Sequence, residues 1–332
     1  MPRAVLIGGT GMIGRAAARA LAGDGWEVVA LSRSGTLPEG LAELGVQSVT
    51  ADRADDTQLR AALEPGADVV YDSVAMNREH GEQLNGLEGL VGSLVVISTA
   101  SVYADDEGRA FDGEGGDPPQ LPVPILETQR TAEPGDATYS TQKAELEQTL
   151  LQGPLPATLI RACAVYGPGA KNPRELFFVK RSFDGRRRVA LAWNGESRFN
   201  TASVANLAEL IRLAAAQPGD RILNGGDPDP PSTLEICHAI GSAMEHEFEP
   251  VLLEADEFNN PWGVPASSSL IVSMEAAERE LGYRPVTTYP EAVPETCAWL
   301  VGELEGGRSW EDSYIAAALD YAAEDAVLES AA

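Results

Sequence analysis

Residues 4–31 read AVLIGGTGMIGRAAARALAGDGWEVVAL, and this stretch decides the fold. An apolar run over residues 4–7 leads into a glycine-rich turn, and the alanine-rich residues 15–22 have the composition of a helix. Two glycines close that segment, and residues 26–31 form a second apolar run. This order of strand, turn, helix and strand within about thirty residues predicts the first βαβ unit of a dinucleotide-binding sheet.

The turn of this unit has a glycine at every third position, giving the pattern GxxGxxG. Glycine lets the backbone approach a pyrophosphate closely, and the following helix N-terminus offers free N–H groups to it. The alternative is a plain tight turn between a strand and a helix. We expect the turn to bind the cofactor through Gly8, Thr10, Gly11, Met12, Ile13 and Gly14.

The end of the second strand discriminates between the two nicotinamide cofactors. A carboxylate there binds the ribose 2′-hydroxyl of NAD, whereas arginine accommodates the 2′-phosphate of NADP. Here Ser32 and Arg33 follow the strand, no carboxylate is present, and Arg15 comes directly after the last glycine of the turn. The sequence therefore favours NADP, with NAD as the alternative.

Two further strands supply the rest of the predicted cofactor site. A third strand over residues 46–50 leads to Asp52 and Arg53, which we expect beside the adenine. A fourth over residues 68–71 leads to Val74 and Ala75, which we expect beneath the nicotinamide ribose. Ligands of open parallel sheets bind at the carboxyl ends of the strands, where all four residues fall.

The segment YSTQK, residues 139–143, places Tyr139 and Lys143 four residues apart. On a helix these side chains share one face, and a nearby ammonium lowers the pKa of a phenol by favouring the phenolate. An exposed helix with a solvated lysine is the simpler interpretation. However, the chain has only three lysines, so chance pairing with a tyrosine at this spacing is improbable.

Four motifs occur in an order that identifies a family. They are GGTGMIG (8–14), ISTASVY (97–103), YSTQK (139–143) and RACAVYGPG (161–169). In this order they resemble the extended short-chain dehydrogenases/reductases, the NAD-dependent epimerase/dehydratase family. The resemblance covers most of residues 4–300 and implies a doubly wound parallel-sheet α/β Rossmann fold. A smaller, mostly C-terminal substrate domain is expected with it.

The resemblance also implies roles for individual residues. Thr99 would hydrogen-bond the substrate oxygen, Tyr139 would be the general acid/base, and Lys143 would hold the nicotinamide ribose and lower the tyrosine pKa. Further residues follow from the same motifs. Ala162 and Val165 would contact the cofactor, while Ser101, Tyr103 and Arg198 would contact the substrate.

Departures from the family pattern narrow the chemistry. Sugar dehydratases carry an Asp-Glu pair after the threonine, where this chain has Ala100 and Ser101, so dehydration and decarboxylation are disfavoured. The run SVAN (203–206) replaces a His-Val-Asp-Asp-like run and weakens the case for a sugar-nucleotide substrate. The leading hypothesis is an NADP-dependent oxidoreductase of a ketone or secondary alcohol. The alternative is a nucleotide-sugar epimerase with tightly held NAD, and a nonenzymatic dinucleotide sensor or nucleic-acid-binding relative is disfavoured.

Composition bounds the partners and the compartment. A formal charge of −27 over 332 residues argues against nucleic acid as a partner, since phosphate binding needs lysine and arginine. The main basic concentration runs from Lys171 to Arg198 and moderately favours an anionic small-molecule substrate. Three scattered cysteines and three isolated histidines indicate neither disulfides nor a metal site. No apolar run suits a membrane helix, and a cytoplasmic protein is expected.

The predicted domains are residues 1–170, with a return to the sheet near 198–224, and residues 171–332 with a helical tail. The acidic, Gly/Pro-rich segment 104–137 is either a lid over the substrate pocket or a solvated loop. Residues 261–265 (PWGVP) and Trp193 supply pocket walls or ordinary packing. The resemblance further implies a homodimer formed through helices beginning near Glu82 and Thr138.

Overall fold

A computed structural model describes residues 1–113, 118–257, 260–265 and 269–330. Its strands are β1 (Arg3–Ile7), β2 (Glu27–Ser32), β3 (Gln47–Thr50), β4 (Val69–Asp72), β5 (Leu94–Thr99), β6 (Ala157–Ala162), β7 (Ala164–Tyr166), β8 (Arg188–Leu191), β9 (Thr201–Ser203), β10 (Arg221–Gly225) and β11 (Glu249–Leu252). Its helices are α1 (Met12–Gly23), α2 (Asp56–Leu63), α3 (Arg78–Asn85), α4 (Tyr139–Leu151), α5 (Leu176–Phe183), α6 (Val204–Ala216), α7 (Thr233–Ala243), α8 (Glu275–Leu281), α9 (Tyr289–Glu305) and α10 (Tyr321–Ser330).

Seven of these strands form one parallel sheet in the order β10-β6-β5-β4-β1-β2-β3. Neighbouring residues of β1 alternate between its two faces. Leu6 packs with α1 and α6 in one core, whereas Val5 packs with residues of α2, α3 and α4 in the other. Burial on both faces explains why the strands read as continuous apolar runs. The predicted doubly wound α/β Rossmann fold is confirmed.

The helix that follows β4 differs from its prediction. The sequence analysis expects a helix beginning near Glu82, but α3 begins at Arg78 and ends at Asn85. Asn77 fixes the start because its side chain accepts a hydrogen bond from the His80 backbone N–H. The turn before Gly92 then returns the chain to β5.

Residues beyond β6 are shared between the sheet and a second core. Helix α6 packs against α1, and β10 pairs with β6, so this part of the chain returns to the Rossmann sheet. A separate apolar cluster unites α5, α7 and α9 with β8 and the C-terminal residues. Helix α10 packs on β8, where its Glu324 meets the fully buried Arg181 at 3.0 Å. The C-terminal tail is thus packed within its own chain.

The described part of the chain contains no helix that is both long and apolar enough to cross a membrane. It also contains no group of three or more His, Cys, Asp or Glu residues that could hold a metal ion. The homodimer remains a prediction.

Candidate active site

A cleft of about 820 Å³ opens at the carboxyl ends of β1, β2 and β4. Ten of the residues predicted to bind the cofactor line it. These are Gly8, Thr10, Gly11, Met12, Ile13, Ser32, Arg33, Asp52, Arg53 and Val74. Gly169, Lys171 and His80, which the sequence analysis did not assign to the cofactor, line it as well. We call this space the dinucleotide cleft.

Two glycines show why the turn between β1 and α1 excludes larger residues. A Cβ on Gly14 would lie 2.1 Å from the Gly8 carbonyl oxygen. Gly8 itself has φ +79°, and its Cβ would lie 2.6 Å from Ser73 Oγ. Gly11 starts α1 without a side-chain cap, so no side chain occupies the N–H groups of the first helical turn. The turn therefore fits the pyrophosphate of a dinucleotide.

The dinucleotide cleft is lined by two cations, Arg33 directly after β2 and Lys171 after β7. Both are exposed, and within the described residues neither has a carboxylate within 4.0 Å. Ser32 Oγ accepts a hydrogen bond of 3.1 Å from the Gly35 N–H, so its own proton is available to a ligand. Arg15 lies against Gly169 and does not line the cleft.

Arg53 and Asp72 form a buried ion pair that joins the residues after β3 to the end of β4. Arg53 donates to Asp72 Oδ2 at 2.8 Å and to Gln83 Oε1 at 2.7 Å. Asp72 also accepts from the N–H groups of Val74 and Ala75, at 2.6 and 2.8 Å. Burial raises the pKa of Asp72, while Arg53 and these N–H groups oppose that rise. Arg53 is thus committed to the protein and forms a wall of the cleft.

Thr99, Tyr139 and Lys143 come together where β5 ends and α4 begins. Strand β5 ends at Thr99, and α4 begins at Tyr139 because Thr138 and Thr141 form a capping box. The Thr99 hydroxyl lies near the Tyr139 phenol and lowers its pKa. Thr99 Oγ1 accepts from the Ser101 N–H at 3.1 Å, so the Thr99 hydroxyl proton can be donated to a ligand oxygen.

Lys143 is almost fully buried one helical turn after Tyr139. Its Nζ donates to the carbonyl oxygens of Ala75 at 2.6 Å and Ile97 at 3.0 Å. Burial lowers the pKa of Lys143 to about 8, against the opposing charges of Asp72 and Glu147. Ala75 therefore enters the site through its carbonyl group.

The pKa of Tyr139 lies above its ordinary value. Burial raises it most, the nearby Thr99 hydroxyl lowers it, and the charge of Asp112 raises it further. Lys143 faces two carbonyl groups in this structure, and the expectation that it lowers the pKa of Tyr139 stays a prediction. At neutral pH Tyr139 keeps its proton.

A second cleft, of about 330 Å³, begins at Thr99. Its described lining is Thr99, Ala100, Ser101, Phe111, Ala162, Cys163, Ala164, Val165, Arg174, Phe199, Asn200, Pro261, Val264 and Leu270. We call it the substrate cleft. Ala162 and Val165, predicted to bind the cofactor, lie here and not in the dinucleotide cleft. Pro261 and Val264 form part of the wall of the substrate cleft, which agrees with the pocket-wall interpretation of residues 261–265. Trp193 does not line this cleft.

Two predicted substrate residues lie outside the substrate cleft. Tyr103 is fully buried, and its hydroxyl donates to Asn224 Oδ1 at 2.5 Å. Arg198 pairs with Glu235 at 3.1 Å and donates to the Pro230 carbonyl at 2.7 Å. Neither assignment is supported, because each side chain is committed to the protein. Ser101, by contrast, lines the cleft as predicted.

Most of the basic concentration between Lys171 and Arg198 serves internal ion pairs. Arg181 meets Glu324, and Arg187 meets Glu247 and Glu249. Arg174 is different, because it lines the substrate cleft. In the sequence it looks like its neighbours, so only the folded arrangement distinguishes it.

Part of the segment 104–137 reaches the substrate cleft. Asp112 accepts hydrogen bonds from the Ser140 N–H at 2.8 Å and from Thr138 Oγ1 at 3.2 Å, at the start of α4. The neighbouring Phe111 lines the cleft. This contact supports the lid interpretation for residues 111–113, while residues 114–117 lie outside the described part of the chain.

Together the fold and this site define an enzyme class. A doubly wound sheet with a glycine-lined dinucleotide cleft and a Thr, Tyr and Lys set at its edge is the arrangement of the short-chain dehydrogenases/reductases. Residues 4–226 match the NAD dependent epimerase/dehydratase family, and the chain belongs to this family.

Three known proteins show the range of its relatives. This chain is 27% identical to a 2-alkyl-3-oxoalkanoate reductase of Stenotrophomonas maltophilia (strain K279a), over 72% of this chain and 76% of that protein. It is 25% identical to a 4-hydroxy-2-methyl-3-oxo-4-farnesyl-3,4-dihydroquinoline-1-oxide ketoreductase of Stigmatella aurantiaca, over 68% and 69%. The solved structure of UDP-N-acetylglucosamine 4-epimerase from Bacillus cereus superposes with a TM-score of 0.70 at 19% identity, covering 91% of this chain and 100% of that one. The last likeness shows the fold alone.

Proposed function

We propose that the protein is an NADP-dependent reductase that converts a ketone to a secondary alcohol. The observation that carries this proposal is that Thr99, which lines the substrate cleft, lies beside Tyr139, one helical turn from the buried Lys143. Two relatives named as a reductase and a ketoreductase support the same chemistry.

Each of the three residues has a role in this reaction. When bound, the nicotinamide supplies the hydride for the carbonyl carbon. The Thr99 hydroxyl donates a hydrogen bond to the ketone oxygen, and Tyr139 transfers its proton to that oxygen and is reprotonated from solvent. A raised pKa keeps Tyr139 protonated at neutral pH, which suits the reductive direction. Lys143, charged below a pKa of about 8, would hold the nicotinamide ribose.

The preference for NADP rests on the rim of the dinucleotide cleft. Arg33 and Lys171 present two positive charges there, and Ser32 offers a hydroxyl proton. A 2′-phosphate would take charge-assisted hydrogen bonds from such a set, whereas a 2′-hydroxyl would not neutralise it. The opposite preference would require a carboxylate at the end of β2, where none stands.

A nucleotide-sugar epimerase with tightly held NAD is the second candidate, because the family that the chain matches is named for epimerases as well as dehydratases. The lining of the substrate cleft opposes it. Five of its described residues are Phe, Pro, Val or Leu side chains beyond the strand ends, namely Phe111, Phe199, Pro261, Val264 and Leu270. Such walls match an apolar ketone better than a hydroxyl-rich sugar.

The test begins with the nucleotide that the purified protein releases on denaturation, followed by NADPH and NADH titrations. A site that releases little and binds NADPH more tightly supports the reductase, whereas stoichiometric NAD supports the epimerase. Tyr139→Phe should then lose about 10²- to 10⁴-fold in turnover of a panel of 3-oxo compounds while keeping NADPH affinity. Tyr283→Phe, which removes a hydroxyl outside both clefts, is the matched control. Full activity of Tyr139→Phe would contradict the assignment.

A further inference from the structure

The charge distribution of the substrate cleft singles out one side chain. Of the described residues that line the cleft, Arg174 alone is charged. Its guanidinium lies over the rings of Phe199 and Tyr314, 5.5 Å from each centroid. In the described part of the chain no carboxylate lies within 4.0 Å of it, although acidic residues outnumber basic ones 51 to 24. No described carboxylate therefore neutralises this charge at close range.

The aromatic contacts fix the position of this cation. Phe199 stacks on Trp262 with ring centroids 5.1 Å apart, and Trp262 is fully buried. A guanidinium held between two rings keeps its planar edge free for hydrogen bonds. A half-buried positive charge beside apolar walls gains most from an anion that enters the same space.

The remaining walls determine what that anion is attached to. Phe111, Val264 and Leu270 form apolar surface, and Thr99, which lies beside Tyr139, lines the same cleft. One cation matches a single anionic group and not an extended polyanion. The occupant that satisfies all three features has an apolar body, a carbonyl group and one carboxylate.

We propose that the substrate is an amphipathic oxo acid whose carboxylate is bound by Arg174. Its apolar arm lies against Phe111 and Phe199, and its ketone faces Thr99. This inference rests on the proposed ketoreductase function, since it names the substrate class of the same site. Arg174 is a binding and specificity residue and takes no part in proton transfer.

The test is a binding measurement that needs no turnover. Octanoate and methyl octanoate, which carry no ketone, are titrated by calorimetry into the protein saturated with NADP⁺. The wild type should bind octanoate at least about tenfold more tightly than the ester, and Arg174→Gln should lose about ten- to a hundredfold in octanoate affinity. Arg174→Lys keeps the charge without the planar fork and should fall between them. Arg187→Gln removes a surface arginine paired with Glu247 and Glu249 and should match the wild type.

Each result decides the matter. Equal affinity for acid and ester, no octanoate binding by NADP⁺-saturated wild type, or unchanged affinity in Arg174→Gln would overturn the inference. A loss in Arg198→Gln with none in Arg174→Gln would do so as well, by moving the anion site. NADP⁺ affinity, measured for every variant, reports whether Arg174→Gln has folded, and Arg174→Lys takes its place if it has not. Because octanoate is not reduced, these outcomes are independent of Tyr139-dependent turnover, and either proposal can fail without the other.

Discussion

Replacement of Gly14 by alanine tests the glycine turn most directly. The added Cβ would lie 2.1 Å from the Gly8 carbonyl oxygen and 2.7 Å from Gly9 Cα, whereas real Cβ contacts are essentially never shorter than 3.0 Å. The backbone of the turn must therefore move by roughly 1 Å, and overpacking of this kind costs about 1–3 kcal/mol. Because both clashing groups belong to the backbone, we expect the upper part of that range. The same movement displaces the first turn of α1, so NADPH affinity should fall more than about tenfold.

The same helix supplies the control. Gly23 is the last residue of α1, and a Cβ there would meet no atom within 4 Å. Gly23→Ala should leave NADPH affinity unchanged and stabilise the protein by up to about 1 kcal/mol, since alanine restricts the unfolded chain. Denaturation of the cofactor-free protein and NADPH fluorescence titrations measure both effects. The reasoning is refuted if Gly14→Ala matches the wild type in both assays, or if Gly23→Ala shows the same losses.

Three other substitutions test separate parts of the structure. Asp72→Asn removes an anion that raises the pKa of Lys143, which is about 8. Activity should therefore begin to fall at a lower pH on the alkaline side of a pH–rate profile. An unchanged alkaline side of the profile would contradict the role of Asp72. Arg33→Gln should weaken NADPH about tenfold or more and leave NADH unaffected, and equal losses for both cofactors in titrations would argue against a 2′-phosphate contact. Glu324→Gln leaves Arg181 buried without its carboxylate and should lower the free energy of unfolding by about 3–5 kcal/mol in denaturation experiments. The NADPH affinity of the folded protein should not change.

The sequence predicts the sheet and the proton-transfer residues because their signals are local. The glycine spacing, the apolar strands and the Tyr139–Lys143 pair each occupy one short segment. Their context in the chain was enough to place β1 to β4 within a few residues of their observed bounds. Thr99, assigned from a short motif, is the last residue of β5.

The assignments that the structure does not support concern side chains whose partners are distant in sequence. Tyr103 donates to Asn224, which lies 121 residues away, and Arg198 pairs with Glu235. Nothing near these residues in the sequence reveals such partners. Asp72 had one usable signal, since a carboxylate that closes a buried parallel strand must be paired or solvated at the cofactor edge. Arg174 had none, because its aromatic neighbours Phe199 and Tyr314 come from other elements.

The acidic composition makes the remaining cations informative. With a formal charge of −27, a basic side chain readily finds a carboxylate, and Arg161, Arg181 and Arg187 each do. The cations of the two clefts divide differently. Arg53 is neutralised by Asp72, while Arg33 and Lys171 in one cleft and Arg174 in the other have no carboxylate within 4.0 Å among the described residues. Arg174 is half-buried, and a cation withdrawn from water gains from a ligand that supplies an anion, whereas Arg33 and Lys171 are exposed to solvent. The two proposals therefore rest on cations without a described carboxylate partner in separate clefts, with a 2′-phosphate proposed beside Arg33 and a carboxylate proposed beside Arg174.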